Sequence, residues 1–375
     1  SLAFMMVNRK MGLKNRMVLA QSMGLEQMDG ILRMVRHVLV GTFSIEMVGA
    51  LVLTVRFLGY TSPGKAIWWG VFHSVSAFCN AGFDLMGRFE PFSSLTLFYD
   101  DILVNLTICA LIIIGGIGFI VWNDIFNFRQ KLNKYSLHSK VVLVTTGVLL
   151  ILGTVLFYVF EHNGVLSGMP EYKKWIVSFF QSVTPRTAGF NTADLSSISH
   201  STVVIFCLLM FIGGSPGSTA GGVKTTTFAV LVLSAFSSAR RSNYITVFKK
   251  RLEEKTARQA SAVVVIYVLV LSFAVMAMCA IEPFSMTSIV FEAVSAMGTV
   301  GVTMGITPEL STASKYIIIL LMYAGRIGGL TLILAIAQKK KRAPLDRPTE
   351  RILIGLYYEI YSCNRLRQIR LSSGT

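Results

Sequence analysis

Three short turns in the sequence combine residue types that are suited to holding a cation by backbone oxygen atoms. They read Asn-Ala-Gly at 80–82, Thr-Ala-Gly at 187–189 and Thr-Val-Gly at 299–301. Backbone carbonyls arranged around an axis can replace the hydration shell of a cation without adding a fixed charge. Such an arrangement asks for positive φ angles, which glycine adopts at little cost. The candidate ion-binding residues are Asn80, Ala81, Gly82, Thr187, Ala188, Gly189, Thr299, Val300 and Gly301.

The segments that lead into these turns are similar to one another. Residues 72–82 read FHSVSAFCNAG, residues 180–189 read FQSVTPRTAG with one residue fewer, and residues 291–301 read FEAVSAMGTVG. We predict that each forms a half-helix whose C-terminal end directs its negative dipole at the turn and favours a cation there. One glycine after a helix is usually only a tight turn. Three in register, 107 and 112 residues apart, favour an ion-binding role.

A glycine-rich break interrupts another apolar stretch. Residues 205–212 and 228–233 are apolar, and GGSPGSTAGGVKTTT lies between them at 213–227. A continuous spanning helix satisfies every backbone hydrogen bond, so this break implies backbone that lines a cavity or packs against protein. Because only one of the return helices carries such a break, we predict that it closes the path below the turns and does not choose the ion. The candidate gating residues are Gly213, Gly214, Gly217, Ser218, Thr219, Gly221, Gly222, Lys224 and Arg326.

Three charged residues lie in or beside apolar runs. Charges at membrane depth are rare and face protein or water, which applies to Glu46 and Arg326. A structural partner and a role on the ion path explain Glu46 equally well. The guanidinium of Arg326 suits the free carbonyls of a broken helix, which favours a contact with the gate. Lys224 either places a cation near the permeation path or extends toward the cytoplasm.

The composition is that of a membrane protein, with 53% hydrophobic and 14% charged residues in a chain of 375. Of the 35 Lys and Arg residues, 23 lie in four short segments at 9–36, 129–140, 240–258 and 339–351. The positive-inside rule places these segments and the tail in the cytoplasm, so the net charge of +16 does not indicate nucleic acid. We predict a multi-pass protein of the plasma membrane.

On the side of the membrane opposite the basic segments, five acids either concentrate cations or form a solvated surface: Asp84, Glu90, Asp100, Asp101 and Asp194.

One unit of long helix, half-helix, glycine turn and long helix occurs three times. The predicted long helices are residues 38–58 and 102–122, then 141–160 and 202–236, then 260–281 and 316–337. Each unit crosses the membrane twice, so the repeats are parallel and related by an axis along the membrane normal. The predicted fold is an all-α polytopic membrane protein with helix–pore-loop–helix repeats, pseudo-symmetric about a central pore. Three complete repeats are visible, and the first of four is missing.

The predicted segments follow from this repeat. Residues 1–37 are the end of the missing first repeat and a cytoplasmic linker, and residues 339–375 are a basic cytoplasmic tail. Between them lie helix–pore–helix repeats at 38–128, 129–239 and 240–338, of which the second carries the broken return helix.

An enzymatic function is not supported by the motifs. Residues 217–225 nearly match the phosphate-binding loop G-x-x-x-x-G-K-[ST], but Val223 separates Gly222 from Lys224. Such a loop should also follow a soluble strand, whereas here both flanks are membrane runs. The sequence has no His and Cys cluster, nucleophile elbow or carboxylate pair that indicates other catalysis.

Four segments together resemble a known family of membrane proteins. They are residues 180–190, 213–227, 299–310 and 325–328. This combination is similar to the membrane subunits of bacterial Ktr potassium uptake systems, within the Trk/Ktr/HKT superfamily, and the similarity extends to about residue 355. The resemblance implies four pseudo-symmetric units around one K+ pathway, a K+ filter at Gly82, Gly189 and Gly301, an intramembrane gating loop at 213–225, and a loop-contacting arginine that matches Arg326.

The resemblance also implies partners and an ion. Members of the family form homodimers and assemble with a cytosolic nucleotide-binding regulatory ring of the KtrA type, on which ATP or ADP is bound. No covalently bound cofactor is implied for this chain, and uptake in the family is often sodium-stimulated. The first filter is absent from this sequence, which leaves K+, Na+ or mixed monovalent cation transport open. An alternating-access secondary transporter and a non-conducting membrane scaffold are two further hypotheses for the chain.

Overall fold

The computed structural model describes residues 31–89, 93–128, 131–242 and 244–328. The predictions made for residues 1–30 and for the tail at 339–375 therefore lie outside the described residues. In the described part the helices are α1 (Ile31–Phe57), α2 (Pro63–Phe78), α3 (Ile102–Gly116), α4 (Phe119–Phe128), α5 (Leu137–Glu161), α6 (Glu171–Val183), α7 (His200–Phe211), α8 (Thr225–Ala239), α9 (Glu254–Ile281), α10 (Met286–Gly298) and α11 (Thr312–Ile327). A two-stranded antiparallel hairpin, β1 (Thr246–Val247) and β2 (Lys250–Arg251), precedes α9.

Three of these helices are long and apolar enough to cross a bilayer. They are Val35–Phe57 within α1, Leu137–Glu161 and Glu254–Ile281, close to the predicted runs at 38–58, 141–160 and 260–281. Large side chains on them are exposed, including Phe43 at 63% and Phe273 at 66%. Apolar exposure of this extent along whole helices is unfavourable in water and normal in lipid. The chain is therefore an all-α polytopic membrane protein.

Each long helix is followed by a short helix and then by a helix that returns. The short helix α2 packs on α1 and α3, α6 packs on α5, and α10 packs on α9 and α11. The return helix of one unit also packs on the short helix of the next, α3 on α6 and α7 on α10. Phe206 on α7 stacks on Phe291 of α10 with ring centroids 6.2 Å apart, which shows this contact at the residue level. These contacts place the C-terminal ends of the short helices close together.

Side chains join the end of each long helix to the start of its return helix. The Glu161 carboxylate accepts a hydrogen bond from the backbone N–H of Ser199, the N-cap of α7, at 2.9 Å. Glu282 accepts from the N–H and hydroxyl of Ser311, the N-cap of α11, at 2.9 and 2.6 Å. These bonds to Ser311 lower the pKa of Glu282, so the carboxylate is ionised at neutral pH.

The first unit makes this connection with a different pair of residues. The Arg56 guanidinium donates to the carboxylate of Asp101, which is itself the N-cap of α3. The N-cap carboxylate also satisfies two otherwise free N–H groups of that helix. In all three units, side chains therefore join the end of the long helix to the start of the return helix.

Within the described residues, two return helices are broken, and the sequence predicted only one of these breaks. The break at 213–227 is present, since α7 ends at Phe211 and α8 begins at Thr225. The predicted continuous span at 102–122 is wrong, because α3 ends at Gly116 and the chain bends by 96° into α4. Gly118 has a φ of +92°, and a Cβ atom there would lie 2.6 Å from the carbonyl oxygen of Pro216. The break at 213–227 thus occupies the space that a straight α3 would need.

Candidate ion-binding turns and intramembrane loop

The three predicted turns lie side by side at the ends of α2, α6 and α10. We name them turn 1 (80–82), turn 2 (187–189) and turn 3 (299–301). A Cβ atom added at Gly82 would lie 2.1 Å from the carbonyl oxygen of Ala188, and one added at Gly189 would lie 2.3 Å from that of Val300. No real side chain tolerates such distances to a backbone atom. The turns therefore approach one another by bare backbone, in chain order.

The backbone conformation alternates along each turn in the same way. The first and third residues have positive φ, namely 50° and 71° at Asn80 and Gly82, 75° and 93° at Thr187 and Gly189, and 54° and 95° at Thr299 and Gly301. Alternation of right- and left-handed residues gathers successive N–H groups on one face, and so leaves the carbonyls on the other. The sequence predicted positive φ for the glycines, but not for the three non-glycine residues.

Hydrogen bonding within the turns leaves the carbonyl oxygens free. The N–H of the middle residue donates back to the short helix, from Ala81 to the Ser76 carbonyl at 2.9 Å, and from Val300 to the Ser295 carbonyl at 2.9 Å. The Asn80 amide and the Thr187 hydroxyl meet at 3.2 Å and join turns 1 and 2. No hydrogen bond from another described residue reaches any carbonyl of the nine turn residues. Buried carbonyls are normally paired, so these oxygens are available to a ligand.

A cavity of about 950 Å³ opens outside the turns, and Gly82, Gly189 and Gly301 all line it. Asp84 and Asp194 line it as well. The Asp194 carboxylate accepts from the Ser196 hydroxyl at 2.7 Å and the Ser196 N–H at 2.9 Å, which lowers the pKa of Asp194. Asp194 is therefore ionised at neutral pH and adds negative charge to the approach to the turns.

Two of the other acids have structural partners. Asp101 caps α3 and pairs with Arg56, as described above, and Asp100 lies 3.5 Å from the ammonium of Lys173. Neither residue lines the cavity. Glu90 lies outside the described residues. The five acids therefore do not act as one group.

On the opposite side of the turns lies the segment between α7 and α8, which we name the 212–224 loop. Its two ends pair, with a bridge between Ile212 and Val223 and a hydrogen bond of 2.9 Å from the Gly213 N–H to the Val223 carbonyl. The Thr225 N–H donates to the Gly214 carbonyl at 3.1 Å. Within the loop, the Ser218 hydroxyl donates to the Ser215 carbonyl at 2.6 Å. The loop is thus an ordered, internally bonded structure.

The loop binds the free helix ends below the turns. The Thr219 hydroxyl lies 3.2 Å from the Phe78 carbonyl at the end of α2, and 3.1 Å from the Gly115 carbonyl at the end of α3. The Gly217 carbonyl accepts from the N–H of Phe119 at 2.9 Å, where the chain leaves α3 for α4. These contacts satisfy carbonyls and N–H groups that the break in the return helix would otherwise leave unpaired.

Two glycines of the loop bring it against turn 3. A Cβ atom added at Gly221 would lie 2.0 Å from the Thr299 hydroxyl oxygen, and one at Gly222 would lie 3.4 Å from the Gly298 carbonyl. The loop therefore contacts the residues that precede the turn glycines, whereas the cavity is lined by the turn glycines and residues after them. The turns separate the cavity from the loop.

Two basic side chains bind consecutive carbonyls of the loop. Arg326, on α11, donates to the Thr219 carbonyl at 2.5 Å. Lys224 donates to the Ala220 carbonyl at 2.7 Å. Lys224 is therefore turned back onto its own loop and does not extend toward the cytoplasm. Both groups donate hydrogen bonds to backbone carbonyls of the break, which is the chemistry that a guanidinium or ammonium supplies.

Glu46 has a weaker set of contacts. Its half-buried carboxylate lies 3.9 Å from the Cys79 thiol at the end of α2, and its backbone carbonyl accepts from the Ser74 hydroxyl at 2.7 Å. These contacts attach α1 to α2, and Glu46 does not line the cavity outside the turns. They favour a structural role for this residue over one on the ion path.

Comparison with known proteins identifies the family. The sequence matches the cation transport protein family TrkH over residues 1–344. The chain belongs to the TrkH family. Its relatives include the potassium/sodium uptake protein NtpJ of Enterococcus hirae, with 37% identity over 94% of this chain and 79% of that protein. The Ktr system potassium uptake protein B of Bacillus subtilis is 36% identical over 94% of this chain and 78% of that protein.

The solved structure of the potassium transporter TrkH from Vibrio parahaemolyticus has the same fold. It matches 86% of this chain and 68% of that one, with a TM-score of 0.69 and 19% identity. The chain is therefore a membrane protein of a cation uptake family, as its sequence motifs predicted, and its relatives are named as transport proteins.

One set of polar residues behind the turns of this TrkH-family chain was not predicted from the sequence. His73, Gln181 and Glu292 occupy the same position of the three aligned segments and are buried. His73 faces the N–H of Leu85 at 3.4 Å, Gln181 donates to the Asn191 side chain at 3.2 Å, and Glu292 accepts from the Thr307 hydroxyl. Each binds the chain that follows its turn. The signal was available, because a polar residue follows the aligned phenylalanine in every segment.

Proposed function

We propose that the protein is the K+-translocating membrane subunit of a potassium uptake system, and that K+ passes through the three turns. The observation that carries this proposal is the set of free carbonyls on turns 1, 2 and 3, in backbone of alternating handedness, at the base of a cavity with acidic residues. The names of the relatives, potassium uptake protein and potassium/sodium uptake protein, support K+ as the ion.

The turns would act as a selectivity filter by replacing water around the ion. A K+ ion that enters from the cavity exchanges its hydration shell for the carbonyls of the turn residues. The short helices α2, α6 and α10 direct their C-terminal ends at this point, which adds negative potential for a cation. Passive conduction requires no covalent step and no further cofactor on this chain.

The 212–224 loop would be the gate. It lies directly below the turns and contacts Phe78, Thr299 and the end of α3, so an ion that has passed the turns meets the loop next. Arg326 holds the loop in this position through the Thr219 carbonyl. Opening would require that the loop leave these contacts.

The regulators of this gate are assigned by family resemblance. The protein would form a homodimer in the plasma membrane and bind a cytosolic nucleotide-binding subunit that carries ATP or ADP. The basic segments predicted to be cytoplasmic, which include residues 240–258, would provide the docking surface. The name of one Bacillus subtilis relative, a Ktr system protein, supports a system of more than one component.

Replacement of Gly189 by Ser in the full-length protein tests the filter. The added Cβ atom would lie 2.3 Å from the Val300 carbonyl at a φ of +93°, so two turns must move apart. We expect the ratio of K+ to Na+ uptake by vesicles to fall by about tenfold or more, because the energy of such backbone strain, expressed as an equilibrium constant, corresponds to a factor of this size. The control is Gly168→Ser, which has a φ of +78° but open space around it. Unchanged uptake and selectivity in Gly189→Ser would contradict the filter assignment.

Two other functions remain as candidates. Na+ or mixed monovalent cation transport by the same path is favoured by the relative named for potassium and sodium uptake. An alternating-access transporter is favoured by the two discontinuous return helices, since such helices bind substrate at mid-membrane in transporters. Replacing K+ by Na+ in the vesicle assay distinguishes the first candidate from K+ transport. A single-channel current distinguishes a channel from the second candidate.

A further inference from the structure

One residue at the C-terminal end of each short helix makes hydrogen bonds to both ends of the turn that follows. These residues are Ser76 on α2, Thr184 directly after α6 and Ser295 on α10, and they occupy the same position of the three aligned segments. We name them the bracket residues. All three are buried, at 6%, 0% and 3% exposure, so their hydroxyls bond within the protein and not with water.

Each bracket residue holds the start of its turn by its backbone carbonyl. That carbonyl accepts from the N–H of the middle turn residue, at 2.9 Å for Ser76, 3.0 Å for Thr184 and 2.9 Å for Ser295. The N–H groups of the turns are thereby directed toward the short helices. The turn carbonyls face away from them, as conduction requires.

The hydroxyl of the same residue holds the end of its turn. It donates to the carbonyl of the residue after the turn glycine, from Ser76 to Phe83 at 2.7 Å and from Ser295 to Val302 at 2.6 Å. Thr184 donates in the same way to the Phe190 carbonyl. The second segment, at 180–189, has one residue fewer than the other two, yet it makes the same bond. The bond therefore follows the geometry of the turn and not the spacing in the sequence.

We propose that the bracket residues are positioning residues of the ion pathway, whose hydroxyls set the spacing of the turn carbonyls and thereby the preference for K+ over Na+. This inference rests on the proposed filter function. Without the hydroxyl, the carbonyl after the glycine loses its donor, in a buried bond at Phe190 and Val302 and a partly buried one at Phe83, and the end of the turn rotates to find another. A turn that is free to contract accommodates the smaller Na+ better.

The matched controls lie two residues before Ser76 and Thr184. Ser74 and Ser182 are also fully buried, but their hydroxyls donate to spanning-helix carbonyls, of Glu46 at 2.7 Å and of Leu150 at 2.8 Å. Each makes one partly buried hydrogen bond to a spanning helix, and neither hydroxyl bonds to a turn. Loss of these bonds affects helix packing without affecting the turns.

The test measures K+ and Na+ flux in vesicles that contain the full-length protein, as wild type and as Ser76→Ala, Thr184→Val, Ser295→Ala, Ser74→Ala and Ser182→Ala. For the three bracket variants we expect the K+/Na+ flux ratio to fall by about three- to tenfold, as expected for one lost buried hydrogen bond. Thr184→Ser and Ser295→Thr should retain the wild-type ratio, because they keep the hydroxyl. Thermal stability, followed by size-exclusion chromatography, should fall equally in bracket and control variants.

Two results would overturn the inference. One is a wild-type flux ratio in all three bracket variants, and the other is an equal fall of the ratio in Ser74→Ala and Ser182→Ala, which would mean that packing alone is responsible. Gly189→Ser, measured in parallel, shows whether only the bracket proposal is wrong or the filter assignment is wrong too. If Gly189→Ser changes the ratio and the bracket variants do not, only the bracket is wrong. If neither changes it, the filter assignment is wrong as well.

Discussion

At the scale of single residues, Thr219 connects four parts of the molecule. Its hydroxyl contacts the carbonyls of Phe78 and Gly115, and its own carbonyl accepts from Arg326. One residue of the 212–224 loop thus binds the first short helix, the first return helix and the third return helix. Such a junction stabilises one position of the loop, and each of its bonds must break before the loop moves.

Replacement of Arg326 by Ala should therefore open the path. The variant removes the donor to Thr219 but leaves the turns untouched, so K+ uptake should rise by about three- to tenfold, the shift in the open–closed equilibrium given by one hydrogen bond. The measurement is Rb+ or K+ influx into vesicles. The control is Lys315→Ala on the same helix, because this lysine is remote from the loop and donates to the Pro308 carbonyl at 3.0 Å. If influx is the same in Arg326→Ala and wild type, Arg326 has only a structural role.

At the scale of elements, the two breaks in the return helices form one unit. The 212–224 loop receives the end of α3 through the Phe119 N–H and the Ser215 N–H, which donates to the Gly116 carbonyl at 3.0 Å. The bend at Gly118 and the loop are therefore bonded to each other on both sides of the bend. A change at one break should alter the other.

Gly118→Ala tests this coupling. The added Cβ atom meets the Pro216 carbonyl at 2.6 Å in backbone with a φ of +92°, which costs about 1–3 kcal/mol of folding free energy. We expect a lower thermal midpoint and faster proteolysis within 212–224, together with a raised K+ influx. Gly147→Ala is the control, because a Cβ atom there meets nothing within 4 Å. Unaltered proteolysis and influx in Gly118→Ala would show that the two breaks are independent.

The elements also show what the sequence can and cannot predict. The long helices at 38–58, 141–160 and 260–281 were predicted because a run of apolar residues is a local signal. The bend at Gly118 was missed because Gly-Gly-Ile-Gly at 115–118 is equally compatible with close packing of a straight helix. The Pro216 carbonyl that lies against the bend is almost a hundred residues away in the chain.

The candidate site was likewise predicted from the sequence only in part. The turn glycines were predicted from three similar segments that each end in a glycine in register. The positive φ of Asn80, Thr187 and Thr299 was not predicted, because it results from the bond of the next N–H to the short helix. The contact of Lys224 with Ala220 was not predicted either, since the position of this lysine at the end of the break is compatible with the ion path and with the cytoplasm alike.

At the scale of the whole molecule, the features of the proposed ion path lie at three levels. The cavity with Asp84 and Asp194 lies outside, the three turns lie in the middle, and the 212–224 loop lies below. The positive-inside rule predicts a cytoplasmic location for the basic segments at 129–140 and 240–258. In the function proposed above, these levels would attract, select and stop a cation in turn.

Single-channel recording of the purified full-length protein in planar bilayers tests this account most directly. With K+ on one side and Na+ on the other, we predict discrete currents whose reversal potential lies toward the K+ equilibrium potential, and a loss of this preference in Gly189→Ser. Slow, saturable flux without discrete currents, or currents with equal permeability to K+ and Na+ in the wild type, would contradict conduction through a K+-selective path at the three turns.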